Sequence, residues 1–199
     1  ANRILAARGV YKTLLILPYA VAPAVAAILW RFLFHPAIGV IGHNLQNLGF
    51  DWNYYLHGNQ AMWVVIITSA WQQFSYNFLF FLAKIEAIPK SLIEASSIDV
   101  AGFWSRFWQI FFPLLSPITF FLFIINLTYA FFDTFGVIQV MTQGGPADAT
   151  NILVYKVYKD GFIGLDLGGS AAQSVVLMAI IVLLTVIQFK YIEKRVHYK

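Results

Sequence analysis

Four long apolar runs divide the chain: Thr13 to Trp30, Ala61 to Ala83, Phe107 to Phe132 and Leu167 to Phe189, none containing Lys, Arg, Asp or Glu. A run of 23 residues, as in the second and fourth, makes about 34 Å of helix, enough to cross a hydrocarbon core of roughly 30 Å with some tilt. The pattern therefore predicts an all-α, polytopic bundle of four membrane spans. Pro18, Pro23, Pro113 and Pro117 fall inside or beside these runs. Each removes a backbone donor, so bends or helix ends are expected there.

Polar positions within the runs repeat at helical spacing. Ser69, Gln73 and Asn77 recur every four residues, and Asn126, Tyr129 and Asp133 follow a three-then-four step, so each set shares a helix face. Two readings fit. The side chains hydrogen-bond helix to helix, at about 0.6 kcal/mol per pair on average, or they line a path for a hydrophilic solute. Gln73, Asn77, Asn126, Tyr129 and Asp133 are the candidate path residues. At the start of the fourth run, Gly168 with Ala172 and Ser170 with Ser174 put small residues on one face, which suits close packing either within the chain or against a partner.

Composition strengthens the membrane reading: 60% of residues are hydrophobic, 18% aromatic and 11% charged, with a mean hydropathy of +0.71. Of the 13 basic residues, ten lie in three segments: Arg3, Arg8 and Lys12; Lys84, Lys90 and Arg106; and Lys190, Lys194, Arg195 and Lys199. Lys and Arg gather on the cytoplasmic side of membrane spans, so both termini and the loop between the second and third spans are expected in the cytoplasm. Arg31, Lys156 and Lys159 are the remaining cations. An arginine placed like Arg31, at a span end, snorkels to the interface more readily than it meets a solute. The net charge of +4 follows from this asymmetry, and no basic, aromatic-interleaved surface suggests nucleic-acid binding.

Catalytic and metal chemistry find little footing. His35, His43, His57 and His197 are not at helical ligand spacing, and no HExxH accompanies them. No glycine precedes a lysine, so the phosphate-cradling GxxxxGK[ST] loop is missing and ATP would have to be used by a partner. Cysteine is absent. Ion-coupled secondary transport would place a carboxylate well inside a span, whereas Asp133 stands at a span end. A channel or scaffold subunit and a secondary transporter are thus the alternatives to an ATP-driven role.

One charged patch interrupts this apolar chain, KIEAIPKSLIEASSIDVAGFWSRFWQIFFP from Lys84 to Pro113. Pro89 suits a first helical turn, KSLIEASSID a short wet helix, and Ala101-Gly102 a break. Beyond it, Phe103, Phe107 and Phe111 make one apolar stripe and Trp104, Trp108 and Phe112 another, the pattern of a membrane-facing helix.

These residues resemble the cytoplasmic signature of permease subunits of binding-protein-dependent ABC importers. That signature reads Glu-Ala-Ala, three residues, Gly, nine residues, Ile, one residue, Leu-Pro. Glu94-Ala95-Ser96, Val100, Ile110 and Phe112-Pro113 fill its register here. Ser96, Val100 and Phe112 depart from it, and the glycine turn is expected to have slid to Gly102. The resemblance implies a coupling loop over 84–112, with Asp99 beside Glu94 on the helix that docks into an ATPase subunit. FFDTFGVIQVMTQGGPADAT, Phe131 to Thr150, is similar to the outer segment of the carbohydrate-importing class. LPYAVAPAVAAILWRFLF and ILVYKVYKDGFIGLDLGGSAAQSVVLM look most like the A-type permease subunits of sn-glycerol-3-phosphate importers.

The resemblance implies a single transmembrane permease domain over 1–199, of the type I importer kind, holding the last four of six spans. It would lie in the bacterial inner membrane amid lipid. It implies a second permease, two ATPase subunits carrying ATP and Mg, an extracytoplasmic solute-binding protein, and no cofactor on this chain. The solute would be glycerol-3-phosphate or a related sugar or polyol phosphate, with a neutral sugar or oligosaccharide as the alternative.

Overall fold

The computed structural model describes residues 8–89, 91–92 and 102–192. Among them every regular element is helical: α1 Arg8–Ala20, α2 Pro23–Leu33, α3 Val40–Asn47, α4 Gly58–Glu86, α5 Phe103–Arg106, α6 Phe112–Phe132, α7 Thr134–Met141, α8 Leu153–Tyr158 and α9 Leu167–Ile187. Three π turns extend this order: Phe107–Phe111 between α5 and α6, Lys159–Ile163 after α8, and Gln188–Ile192 after α9.

The first apolar run does not form one rod. Pro18 lies inside α1 and Pro23 starts α2, and the two helices meet at 103°. Without an N–H on Pro23 the helical ladder cannot run through the junction. Repair is local and long-range. Val21 N donates to Pro18 O at 3.3 Å, while the Val21 carbonyl accepts from Gln72 Nε2 of α4 at 2.9 Å.

Two helical stretches are long and apolar enough to span a bilayer unaided, Trp104–Met141 with 38 residues and Leu167–Lys190 with 24; the bent α1–α2 pair is a third as a broken span. The 29 residues of α4, about 43 Å of helix, cover the second expected span with length to spare. Its polar residues, Ser69, Gln72, Gln73, Ser75 and Asn77, keep it less apolar than the other two. In the 38-residue stretch, prolines again leave carbonyls in want of donors. Pro117 gives no N–H to the Pro113 carbonyl, and Ser116 Oγ takes its place at 2.7 Å.

The densest packing lies where α2 ends and α4 begins. Ala27 and Phe34 meet Ala61, Val64 and Val65 of α4 and Val137, Ile138 and Met141 of α7, with Tyr54 and Tyr155 closing the sides. Small residues on α2 and α4 let the backbones approach, and the branched side chains of α7 fill the seam. The loops at 34–57 and 142–166 sit at this end. At the opposite end Lys12 Nζ lies 2.7 Å from Glu86 Oε1, which brings the start of α1 beside the end of α4 and puts two of the three basic segments together.

Outside this seam the apolar surface faces outward. Only 11% of the most apolar part of Leu167–Lys190 is buried; Val175, Met178, Leu183 and Val186 are all more than half exposed. That surface suits lipid or apolar partner helices. The foot of α9 is held firmly: Asp166 Oδ1 accepts from Gly169 N at 2.9 Å, Ser170 Oγ donates to Val157 O at 2.8 Å, and Gln173 Nε2 donates to Asp160 Oδ2 at 2.7 Å. Ser170, one of the small residues on this face, thus packs within the chain, close against Gly161.

Candidate functional site

The polar faces of α4 and α6 meet in mid-bundle. Asn77 and Asn126 exchange amide hydrogen bonds, Asn77 Nδ2 to Asn126 Oδ1 at 3.1 Å and Asn126 Nδ2 to Asn77 Oδ1 at 2.8 Å. Tyr129 Oη donates to Gln72 Oε1 at 3.3 Å, so Gln72 joins Tyr129 to the α1–α2 break through its other amide atom. A cavity of about 360 Å³ opens here among Val65, Ser69, Gln73, Asn126, Tyr129 and Ile138. A second, about 400 Å³, lies beside the helix break and is lined by Tyr19, Val21, Pro23, Gln72, Gln73 and Tyr129. Gln73 and Tyr129 belong to both linings. The Gln73 carboxamide has no hydrogen-bond partner among the described residues.

Of the five candidate path residues, Gln73, Asn126 and Tyr129 line the first cavity. Asn77 stands behind it, engaged with Asn126. Asp133 is exposed at the junction of α6 and α7 and lines neither cavity. Gln72, which sequence reasoning passed over in favour of its neighbour, is 5% exposed and ties three helices together. Its signal was Pro23: a broken helix needs a substitute donor, and Gln72 is long enough to supply one.

A third pocket, about 240 Å³, lies at the loop-bearing end between Arg31, Tyr54, Tyr55, Thr142, Gln143 and Pro146. Arg31 Nη1 donates to Val140 O at 3.2 Å and Nε to Tyr55 Oη at 3.5 Å. Val140 is in the last turn of α7, where carbonyls lack helical donors and the helix dipole favours a cation. Tyr54 Oη donates to the Arg31 carbonyl at 3.3 Å, and its ring stacks on Tyr55 at 4.2 Å. Burial, aided by the hydrogen bond with Tyr55, raises the Tyr54 phenol well above the ordinary tyrosine range, so it remains a neutral donor.

The far wall of this pocket is the turn at 142–150. Gln143 and Gly144 have φ of 52° and 82°, and a Cβ on Gly144 would stand 2.9 Å from the Tyr155 ring. Fully buried Thr150 closes the turn: its Oγ1 is 2.7 Å from Thr142 Oγ1 and donates to Gly145 O at 2.8 Å, and its N–H donates to Gly144 O at 3.0 Å. Beyond it, Lys159 pairs with Asp148 and Lys156 with Asp160, both at 2.7 Å. Lys159 lowers the Asp148 carboxyl below its usual range and is itself raised. Asp160 is lowered first by its hydrogen bond from Gln173, then by Lys156.

Residues 4–198 match the model of the family described as binding-protein-dependent transport system inner membrane component. The chain belongs to that family. A member of it is a multi-pass inner-membrane transport subunit, in keeping with the apolar helices described above. Among curated relatives, it is 59% identical over 198 residues to the sn-glycerol-3-phosphate transport system permease protein UgpA of Agrobacterium fabrum, covering 100% of this chain and 68% of that one. The protein of the same description from Yersinia pestis is 57% identical over 198 residues, again across 100% of this chain and 67% of its own length. A solved bacterial alginate ABC transporter, in complex with an alginate pentasaccharide-bound periplasmic protein, shares the fold: TM-score 0.81 at 20% identity, over 94% of this chain and 66% of that one. This chain thus spans about two thirds of the length of these relatives.

Within this family member, the candidate coupling segment is described in part. Glu94, Ala95, Ser96, Asp99 and Val100 lie outside the described residues. Gly102 has φ of +109°, a backbone conformation that side-chain-bearing residues rarely adopt. Ile110 sits in the π turn Phe107–Phe111, and Pro113 in the first turn of α6. Trp104 and Trp108 are 71% and 58% exposed and present an aromatic face along the approach to the span.

Proposed function

We propose that this chain is the A-type permease subunit of an ATP-driven importer of sn-glycerol-3-phosphate, forming half of the translocation path. The observation that carries the reading is its likeness, along the whole chain, to permeases named for that solute. The uncharged polar wall of Gln73 and Tyr129, shared by two cavities, supports a path through the bundle. A second permease completes the path, two ATPase subunits hydrolyse ATP with Mg, and an extracytoplasmic binding protein delivers the solute. The grouping of basic residues supports cytoplasmic termini and a cytoplasmic 84–112 segment, with Glu94, Ala95, Ser96, Asp99, Val100, Gly102, Ile110 and Pro113 forming the contact with the ATPase.

A neutral sugar is the second reading, favoured by the linings of the two mid-bundle cavities, in which no charged residue stands. Reconstitution of the full complex with its binding protein and ATPases decides between them. Uptake of radiolabelled glycerol-3-phosphate that requires ATP supports the first reading; uptake of neutral sugars with none of the phosphate ester overturns it. Glu94→Ala should leave membrane insertion intact while lowering ATPase association and uptake. Full transport by that variant in an assembled complex would remove the coupling role.

A further inference from the structure

An anionic solute entering an uncharged path needs a cation at the entrance, and the loop-bearing end holds few. Lys156 and Lys159 are each 2.7 Å from a carboxylate, and His57 lies 3.3 Å from Asp51. Arg31 differs: no carboxylate lies within ion-pair distance of it among the described residues. Arg31 is exposed at the mouth of the pocket, and the Val140 carbonyl and Tyr55 are two neutral oxygens that orient its guanidinium without cancelling its charge.

Those bonds use Nε and Nη1, and Nη2 of this pocket-lining arginine donates to no group among the described residues. Planar guanidinium N–H groups match phosphate oxygens, and such charge-assisted bonds are about twice as strong as neutral ones. Gln143 lines the same pocket, its carboxamide free of protein partners among the described residues and able to hydrogen-bond hydroxyl groups attached to a phosphate.

We infer that Arg31, with Gln143 in the same pocket lining, forms an anion site for the phosphate group of a phosphomonoester solute as it enters the translocation path. The inference rests on the proposed import of glycerol-3-phosphate and adds to it where the phosphate is received. The pocket is built from α2, the 54–55 corner and the 142–146 turn, so the site depends on three distant parts of the chain.

The test uses the complete complex in vesicles, with loaded binding protein, measuring glycerol-3-phosphate uptake and ATP hydrolysis together for the wild type, Arg31→Gln and Arg31→Lys. Loss of a charge-assisted bond predicts about tenfold slower uptake for Arg31→Gln, with partial rescue by Arg31→Lys, while complex yield and binding-protein-stimulated hydrolysis stay near wild type. Equal uptake by all three, in an assembled complex, overturns the anion site and leaves the import reading standing. Absence of phosphate-ester uptake in the wild type overturns both. A parallel fall in stimulated hydrolysis would instead assign Arg31 to docking an acidic side chain of the binding protein. A defect seen only in vesicles containing phosphatidylglycerol, and not in phosphatidylcholine alone, would assign it to lipid headgroups. Either result overturns the inference.

Discussion

Gln72 on α4 donates its amide N–H to the carbonyl of Val21, 51 residues earlier in the chain, at 2.9 Å. One side chain thereby completes the backbone of a helix pair broken at Pro23, and its Oε1 receives Tyr129 at the same time. Replacing Gln72 by Leu takes the side-chain donor from the half-buried Val21 carbonyl and the Gln72 acceptor from the Tyr129 phenol. A polar group stranded away from water costs about 1–3 kcal/mol. Thermal unfolding of the detergent-purified complex should show a lowered midpoint for Gln72→Leu, and a midpoint equal to wild type would remove this role.

Asn77 and Asn126 exchange two hydrogen bonds, and each amide N–H also donates to the carbonyl four residues back, Gln73 O and Leu122 O, so their removal should be partly non-additive. Either single change to Leu strands the facing amide oxygen, whereas the double change strands neither. A double-mutant cycle on unfolding should give a coupling of roughly 0.5–2 kcal/mol. Simple additivity would mean that the two facing amides contribute no coupling. Because Asn126 lines the cavity and Asn77 does not, Asn126→Leu should slow uptake more than Asn77→Leu at equal complex yield.

Gly102 takes φ of +109° with open space where a Cβ would stand, so strain rather than a clash opposes a side chain there. A β-branched residue forced into a left-handed conformation costs about 1–2 kcal/mol per position. Gly102→Val should therefore impair solute-stimulated ATP hydrolysis severely, and Val100→Gly should change it only slightly. The reverse order of effects in that assay would put the turn at position 100.

The pairs Asp148–Lys159 and Asp160–Lys156 set a pH window for the 142–166 segment. Asp148 and Asp160 are lowered, so their contribution is complete above the ordinary aspartate value, about 4, and is lost as pH falls through their lowered values. Lys159 is raised, so its contribution is complete below about 10.4 and is lost as pH rises past that. Backbone hydrogen exchange over 147–166, corrected for intrinsic rates, should be flat between roughly pH 5 and 9 and should accelerate in stronger acid. Equal protection in acid and at neutrality would show that the pairs do not hold this segment.

Much of the architecture was legible because membrane spans announce themselves through uninterrupted apolar runs and prolines mark where helices fail. The angle at Pro23 was not, since it depends on what α4 and α7 offer the second half of the pair. Periodicity found Ser69, Gln73 and Asn77 on one face, yet it could not show that adjacent Gln72 faces a broken backbone. Asp133 had the right spacing from Tyr129, but the helix ends at Phe132 and the carboxylate turns outward. Arg31 looked like an interfacial anchor because its pocket is assembled from residues 31, 54–55 and 140–146, and no local pattern joins them.

The three hydrogen bonds of Asp166, Ser170 and Gln173 fasten α9 within its first two turns, while most of its length faces outward. At its far end Phe189 rests edge-on against Phe120. Over 21 residues the helix is about 31 Å long, so it behaves as a mast stepped at its base. A tilt of about one degree at the foot carries the tip roughly half an ångström. A shift of the segment around Asp160 would therefore be felt at the far end of α9, where Phe189 meets Phe120.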